Sequence, residues 1–242
     1  MAGKALTLAA FGARGTGKTA WVIQQIKTQH PPRLLIWDFK HDPPLVAIGQ
    51  PVTSLASLAR LADQPAFVLR YLVDHTGPDM HQQFEYFCKI AWAAGNLLMF
   101  VDELPEVTKA SKAPPAWRRC VNVGREYRDG GQVKHLAIIG AGQRPAECDK
   151  SFISNADVIH CGRLANPDDA REMGKALGVP FTDLMRLPDL HWIEKRADQM
   201  DCSRGVLQFA DRKPQSVTEI NLKKPTPSRK LTAKKPALRK AP

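Results

Sequence analysis

Short apolar runs bounded by turn-forming residues alternate along this chain with longer segments whose apolar residues repeat at helical spacing. The runs predict strands at residues 5–11, 33–37, 66–71, 97–101, 135–141, 157–161, 191–195 and 206–209. The intervening segments predict helices at 18–29, 54–62, 80–94, 115–128 and 167–177, the last with Asn166 as N-cap and Asp168 and Asp169 in its first turn. Strand and helix in steady alternation imply a mostly parallel sheet flanked by helices on its faces. No internal repeat is visible.

Composition changes this picture mainly at the C-terminal end. The 242 residues suit one large domain, and the 43% apolar and 24% charged fractions are those of a soluble globular protein. Ten of the last 31 residues are basic and one is acidic, so residues 212–242 carry +9 of the net +11 and the preceding 211 carry +2. From residue 223 onward there is no aromatic residue and little apolar surface to offset the entropy of ordering the chain. The expected organisation is a domain at 1–211, a connecting segment at 212–222 and a disordered basic tail at 223–242. Such a tail either solubilises the protein or binds polyphosphate, in nucleic acid or at a membrane surface. No apolar run approaches the roughly 20 residues of a membrane span. The short apolar stretch at the N-terminus runs into the glycine-rich segment described next, which argues against a cleaved signal and for the cytoplasm. Five scattered cysteines without a Cys-x-x-Cys pair, and seven histidines without ligand spacing, argue against a disulfide framework and a side-chain metal site.

The chemistry is concentrated behind the first strand. Gly12-Ala13-Arg14-Gly15-Thr16-Gly17-Lys18-Thr19 follows the apolar run 5–11 and opens a helix, the setting of a Walker A phosphate-binding loop. Its glycines let backbone N–H groups turn toward a β-phosphate, Lys18 reaches the β- and γ-phosphates, and the Thr19 hydroxyl suits Mg²⁺. The run 97–101 ends in Asp102-Glu103, the Walker B pattern: Asp102 to hold magnesium through water, Glu103 to orient or deprotonate the attacking water. The buried run 136–142 ends at Gln143, where a side chain would meet the γ-phosphate or its water. Together these predict a P-loop NTPase of the additional-strand, RecA-like type, with ATP and Mg²⁺ as cofactors. An acidic pair capping the next helix is the alternative for Asp102-Glu103.

Gln143-Arg144-Pro145 followed by residues 151–157 resembles the region after the sensor glutamine in the FtsK/HerA superfamily of DNA-pumping ATPases. Leu35-Ile36-Trp37-Asp38-Phe39-Lys40 is similar to that family's second-strand Asp-x-Lys signature, and Gly124-Arg125-Glu126-Tyr127-Arg128 to its Gly-Arg segment. The resemblance covers about residues 5–165. It implies a homo-hexameric ring on double-stranded DNA, with an arginine completing the neighbouring subunit's site. Arg125 is the first candidate and Arg128 the second; both also read as basic residues on an exposed helix face. The small size resembles the genome-packaging ATPases of tectivirus-like, membrane-containing viruses, which implies docking on a capsid vertex or on a membrane-anchored protein. Three other readings stay open: a DNA-transfer or phage-assembly ATPase working with a separate membrane protein, a small-molecule kinase, and a DNA-binding assembly protein using nucleotide as a switch. Lys109 and Lys112, after Walker B, are candidates for a DNA-channel loop, or for an ordinary solvated one.

Overall fold

The strands are β1 (Thr7–Phe11), β2 (Arg33–Asp38), β3 (Gln50–Val52), β4 (Phe67–Leu72), β5 (Leu97–Val101), β6 (Tyr127–Asp129), β7 (Gln132–Lys134), β8 (Leu136–Gly142), β9 (Val158–Gly162), β10 (His191–Arg196) and β11 (Ser203–Val206). The helices are α1 (Lys18–Gln29), α2 (Leu55–Leu61), α3 (Met80–Ala94), α4 (Leu104–Val107), α5 (Pro115–Val123), α6 (Lys150–Ser154), α7 (Pro167–Leu177) and α8 (Phe181–Arg186). They come from a computed structural model that describes residues 5–209. Of these, residues 5–207 form one compact unit. The expected connecting segment at 212–222 and basic tail at 223–242 lie outside the described residues.

Nine strands form one sheet in the order β11-β10-β9-β1-β8-β5-β2-β4-β3. From β9 to β3 all neighbours run parallel, while β10 and β11 add an antiparallel edge. β8 is therefore inserted between β1, which leads into the glycine-rich loop, and β5, which ends at Asp102. This is the additional-strand arrangement expected from the sequence. Because side chains alternate across a strand, Leu8 and Ala10 of β1 join Trp21, Val22 and Ile26 of α1 on one face. Ala9 and Phe11 join the core on the other face, where α2, α3, α5, α7 and α8 bring Leu58, Phe84, Trp117, Met173 and Leu184. Both faces are covered, so β1 and β5 are buried along their whole length.

α7 begins as its sequence dictates: Asn166 Oδ1 accepts from the N–H groups of Asp168 and Asp169, and Gly178 closes the helix in the left-handed region. Two expectations need correction. The helix predicted at 115–128 stops at Val123, capped by Gly124, and Tyr127–Asp129 turns back on Gln132–Lys134 through Gly130 and Gly131. Both glycines have positive φ, 55° and 80°, as a tight two-residue hairpin loop requires. Tyr127 anchors the hairpin by donating to the Trp92 carbonyl at 2.6 Å and stacking on the Trp92 ring at 3.7 Å. The strand expected at 206–209 lies at Ser203–Val206 instead, because its register is set by pairing with β10, His191 opposite Val206.

Candidate functional site

The segment Gly12–Thr19 leaves the end of β1, turns, and enters α1. Gly12, Gly15 and Gly17 hold φ of 156°, 81° and 92°, and at Gly17 a side chain would also strike Leu207. The loop closes on itself through Thr16 Oγ1 to the Ala13 carbonyl at 2.8 Å, and the Ala13 N–H is braced by the Arg163 carbonyl at 2.7 Å. Lys18 Nζ donates to the carbonyls of Gly12 at 2.8 Å and Ala13 at 3.3 Å. It is therefore folded back over the loop it would serve. Burial lowers its pKa below that of a free lysine, and the neighbouring Glu103 charge opposes that shift. Arg14 is exposed at the loop tip.

Asp102 and Glu103 follow β5 at the same end of the sheet. The Asp102 N–H extends the ladder to the Trp37 carbonyl at 3.1 Å, which fixes the carboxylate beside the end of β2. Glu103 adopts φ 48°, a left-handed conformation that costs a non-glycine residue roughly 1 kcal/mol and turns its side chain into the site as α4 begins. Its Oε1 accepts from Gln143 Nε2 at 2.8 Å and pairs with Lys40 Nζ. The structure thus gathers Lys18, Asp102, Glu103 and Gln143 at the carboxyl ends of three adjacent strands. Lys40, known at first only from the Asp-x-Lys resemblance, joins them through its ion pair with Glu103.

Asp102 is 6% exposed, and its Oδ2 finds no hydrogen-bond partner among the described residues. Burial, then the Glu103 charge, push its carboxyl up to about 7, with Lys40 opposing and Asp42 and Asp38 adding to the rise. A buried carboxylate oxygen without a partner is costly unless a cation or ordered water meets it. Thr19 Oγ1 donates to Asp42 Oδ2, one of the carboxylates whose charge reaches Asp102. Among the described residues no group of three or more His, Cys, Asp or Glu side chains could hold a metal alone. The donor set therefore suits a hard cation that brings phosphate oxygens with it, as Mg²⁺ does.

Arg125 and Arg128 are not brought to this loop. Arg125 pairs with Asp157 Oδ2 at 3.0 Å and donates to the Asn155 carbonyl at 2.6 Å. That same Asp157 oxygen accepts from the Thr7 N–H at 2.8 Å, which places the group at the start of β1, roughly 15 Å of strand from the loop. Arg128 is exposed on β6. Asp42 and Arg70, which reach the site's rim through Thr19 and Asp38, were missed from the sequence because no motif spacing links them.

No family model matches the chain. Protein P9 of Pseudoalteromonas phage PM2 is 26% identical over 184 residues, 74% of this chain and 78% of that protein. The genome packaging NTPase B204 from Sulfolobus turreted icosahedral virus 2, in complex with ATP-gammaS, superposes with a TM-score of 0.63 at 16% identity, over 84% of this chain and 97% of that one. The fold is that of a P-loop NTPase. The bacterial conjugative coupling protein TrwBΔN70 shares the P-loop fold as well, with a TM-score of 0.57 at 12% identity over 87% of each chain. The resemblance to packaging ATPases is thus met in architecture. Among the described residues no helix of this P-loop NTPase fold is long and apolar enough to cross a membrane.

Proposed function

We propose that this chain is an ATP-hydrolysing DNA translocase, a motor that pumps double-stranded DNA into a viral capsid. The observation that carries the reading is the convergence of Lys18, Asp102, Glu103 and Gln143 around one phosphate loop on an additional-strand sheet. The backbone of residues 12–19 cradles the phosphates, Lys18 swings from the Gly12 and Ala13 carbonyls onto the β- and γ-oxygens, and Thr19 and Asp102 hold Mg²⁺. A bound Mg²⁺ would be held by Thr19 and Asp102 and would supply neutralisation of the charge that develops on the phosphate oxygens. Glu103 takes the proton of the attacking water as the bond from the γ-phosphorus to its bridging oxygen breaks, releasing ADP and phosphate. Gln143 positions the Glu103 carboxylate and senses the γ-phosphate.

Placement supports a ring. Arg125 lies too far from its own loop to act there, so any catalytic part it plays is at the site of a neighbouring copy in a homo-hexamer; Arg128 is the second candidate. For DNA, the turn closed by the Lys109–Lys112 backbone pair presents two exposed lysines beyond Walker B, and the basic composition of residues 223–242 suits phosphate backbones. A capsid vertex or a membrane-anchored protein would dock the motor, in the host cytoplasm or on the virion. The likeness to a conjugative coupling protein supports a second reading, transfer of DNA between cells by the same motor. A triplex-displacement assay tests movement. ATP-dependent release of a third strand from duplex DNA is expected, and no release alongside normal hydrolysis would return the chain to a nucleotide switch.

A further inference from the structure

Thr19 is usable by a cation only if its hydroxyl proton points away from the metal, because the oxygen's lone pairs are what ligate. Here that proton has a defined acceptor: Thr19 Oγ1 donates to Asp42 Oδ2 at 3.2 Å. Asp42 is itself held on both sides of its backbone. Its N–H donates to Asp38 Oδ1 at 3.0 Å, and its carbonyl accepts from the N–H of Leu45, whose side chain is fully buried in the α1-side core. Asp38 is in turn fixed by Arg70 Nη1, which reaches its other carboxylate oxygen at 2.7 Å. A buried ion pair such as Arg70–Asp38 seldom stabilises a fold beyond what apolar packing would give, so its geometry points to positioning. Asp102 Oδ2, buried and without a hydrogen-bond partner among the described residues, marks where positive charge is wanted.

We propose that Asp42 is a metal-positioning residue: it accepts the Thr19 proton, leaves the hydroxyl lone pairs free for Mg²⁺, and adds a negative charge beside Thr19. Arg70 and Asp38 act through it by fixing the loop after β2. The inference rests on reading residues 12–19 as the Mg²⁺·ATP site, and it assigns a role to a residue outside the Walker motifs and the Asp-x-Lys pair.

The test is a titration of Mg²⁺ against the protein with a fluorescent, non-hydrolysable ATP analogue, so that no turnover is required. Asp42→Asn and Asp42→Ala should raise the Mg²⁺ concentration for half-maximal binding by about tenfold or more, as loss of a residue orienting a metal ligand does. Affinity for the analogue in EDTA should stay within about twofold, and Asp42→Glu should recover part of the Mg²⁺ response. Because Asp42 acts through Thr19, adding Asp42→Ala to Thr19→Ala should cost little more than Thr19→Ala alone. An unchanged Mg²⁺ midpoint in Asp42→Ala, or an equal loss of affinity in EDTA, would overturn the role of Asp42 and leave the nucleotide site standing. Wild-type protein that binds the analogue equally with and without Mg²⁺ would overturn both.

Discussion

At the amino end of the parallel strands Asp157, 11% exposed, accepts from the Thr7 N–H and pairs with Arg125. At the carboxyl end Asp102 is buried at least as deeply, and one of its oxygens finds no hydrogen-bond partner among the described residues. Around Asp102 lie Lys18, Lys40 and Glu103, with Lys18 folded onto its own loop and Glu103 in a left-handed backbone. One edge is closed by its own contacts, whereas the other holds, among the described residues, a buried carboxylate oxygen without a hydrogen-bond partner and a strained Glu103 backbone. The difference teaches where a ligand belongs: stability was spent at the carboxyl edge, and a bound nucleotide with its cation is what would recover it.

The comparison breaks first at the level of rate. Lys18→Ala should abolish hydrolysis by weakening phosphate binding, whereas Glu103→Gln should keep nucleotide binding and lower turnover by about 10²- to 10⁴-fold, the range of a general base. Steady-state ATPase rates beside nucleotide-binding titrations measure this. Glu103→Gln turning over near the wild-type rate would remove Glu103 from the chemistry.

A sharper form of the comparison concerns the quiet edge. Arg125→Ala retains its own phosphate loop and acids, so it should bind ATP normally yet lose hydrolysis by about 100-fold or more if Arg125 serves a neighbouring copy. Mixed with Glu103→Gln protein it should regain part of the activity, because some interfaces then join an intact Glu103 to an intact Arg125. Mixed assemblies, verified by sizing, that stay inactive would confine Arg125 to its pairing with Asp157.

A third expected effect lies in stability and its pH dependence. Asp102 has its carboxyl raised to about 7, chiefly by burial, from an ordinary 3.8. The folded state therefore holds that proton more tightly than the unfolded chain does. The stability this confers is full below about pH 4 and is lost as pH rises through about 7. Without nucleotide, Asp102→Asn should therefore gain on wild type by ~3 kcal/mol between pH 4.5 and pH 8. Urea unfolding at several pH values reads the difference directly, and a gap that does not vary with pH would mean that the Asp102 carboxyl titrates as an ordinary one.

Much of the fold and of the site is legible in the amino-acid sequence, for reasons that are local. The phosphate loop needs its glycines, lysine and threonine at fixed spacing between a strand and a helix, and α7 is announced by Asn166, Asp168, Asp169 and Gly178. The insertion of β8 between β1 and β5 follows from Asp102-Glu103. What stays hidden is non-local. Asp42 is held in place by Asp38, which Arg70, 28 residues beyond Asp42, fixes in turn. Arg125 meets Asp157 across a similar gap in sequence. The β6–β7 hairpin escapes for a different reason: Gly130-Gly131 is a strong turn signal, and the helical spacing before it overrides that signal.

The central claim, that the charged edge is an ATPase site coupled to DNA, is tested most directly by ATP hydrolysis with and without duplex DNA, using wild type and Glu103→Gln in parallel. The account predicts that duplex DNA accelerates wild-type hydrolysis severalfold and leaves Glu103→Gln inactive. Hydrolysis by wild type at one rate, whether duplex DNA is absent or saturating, would contradict it.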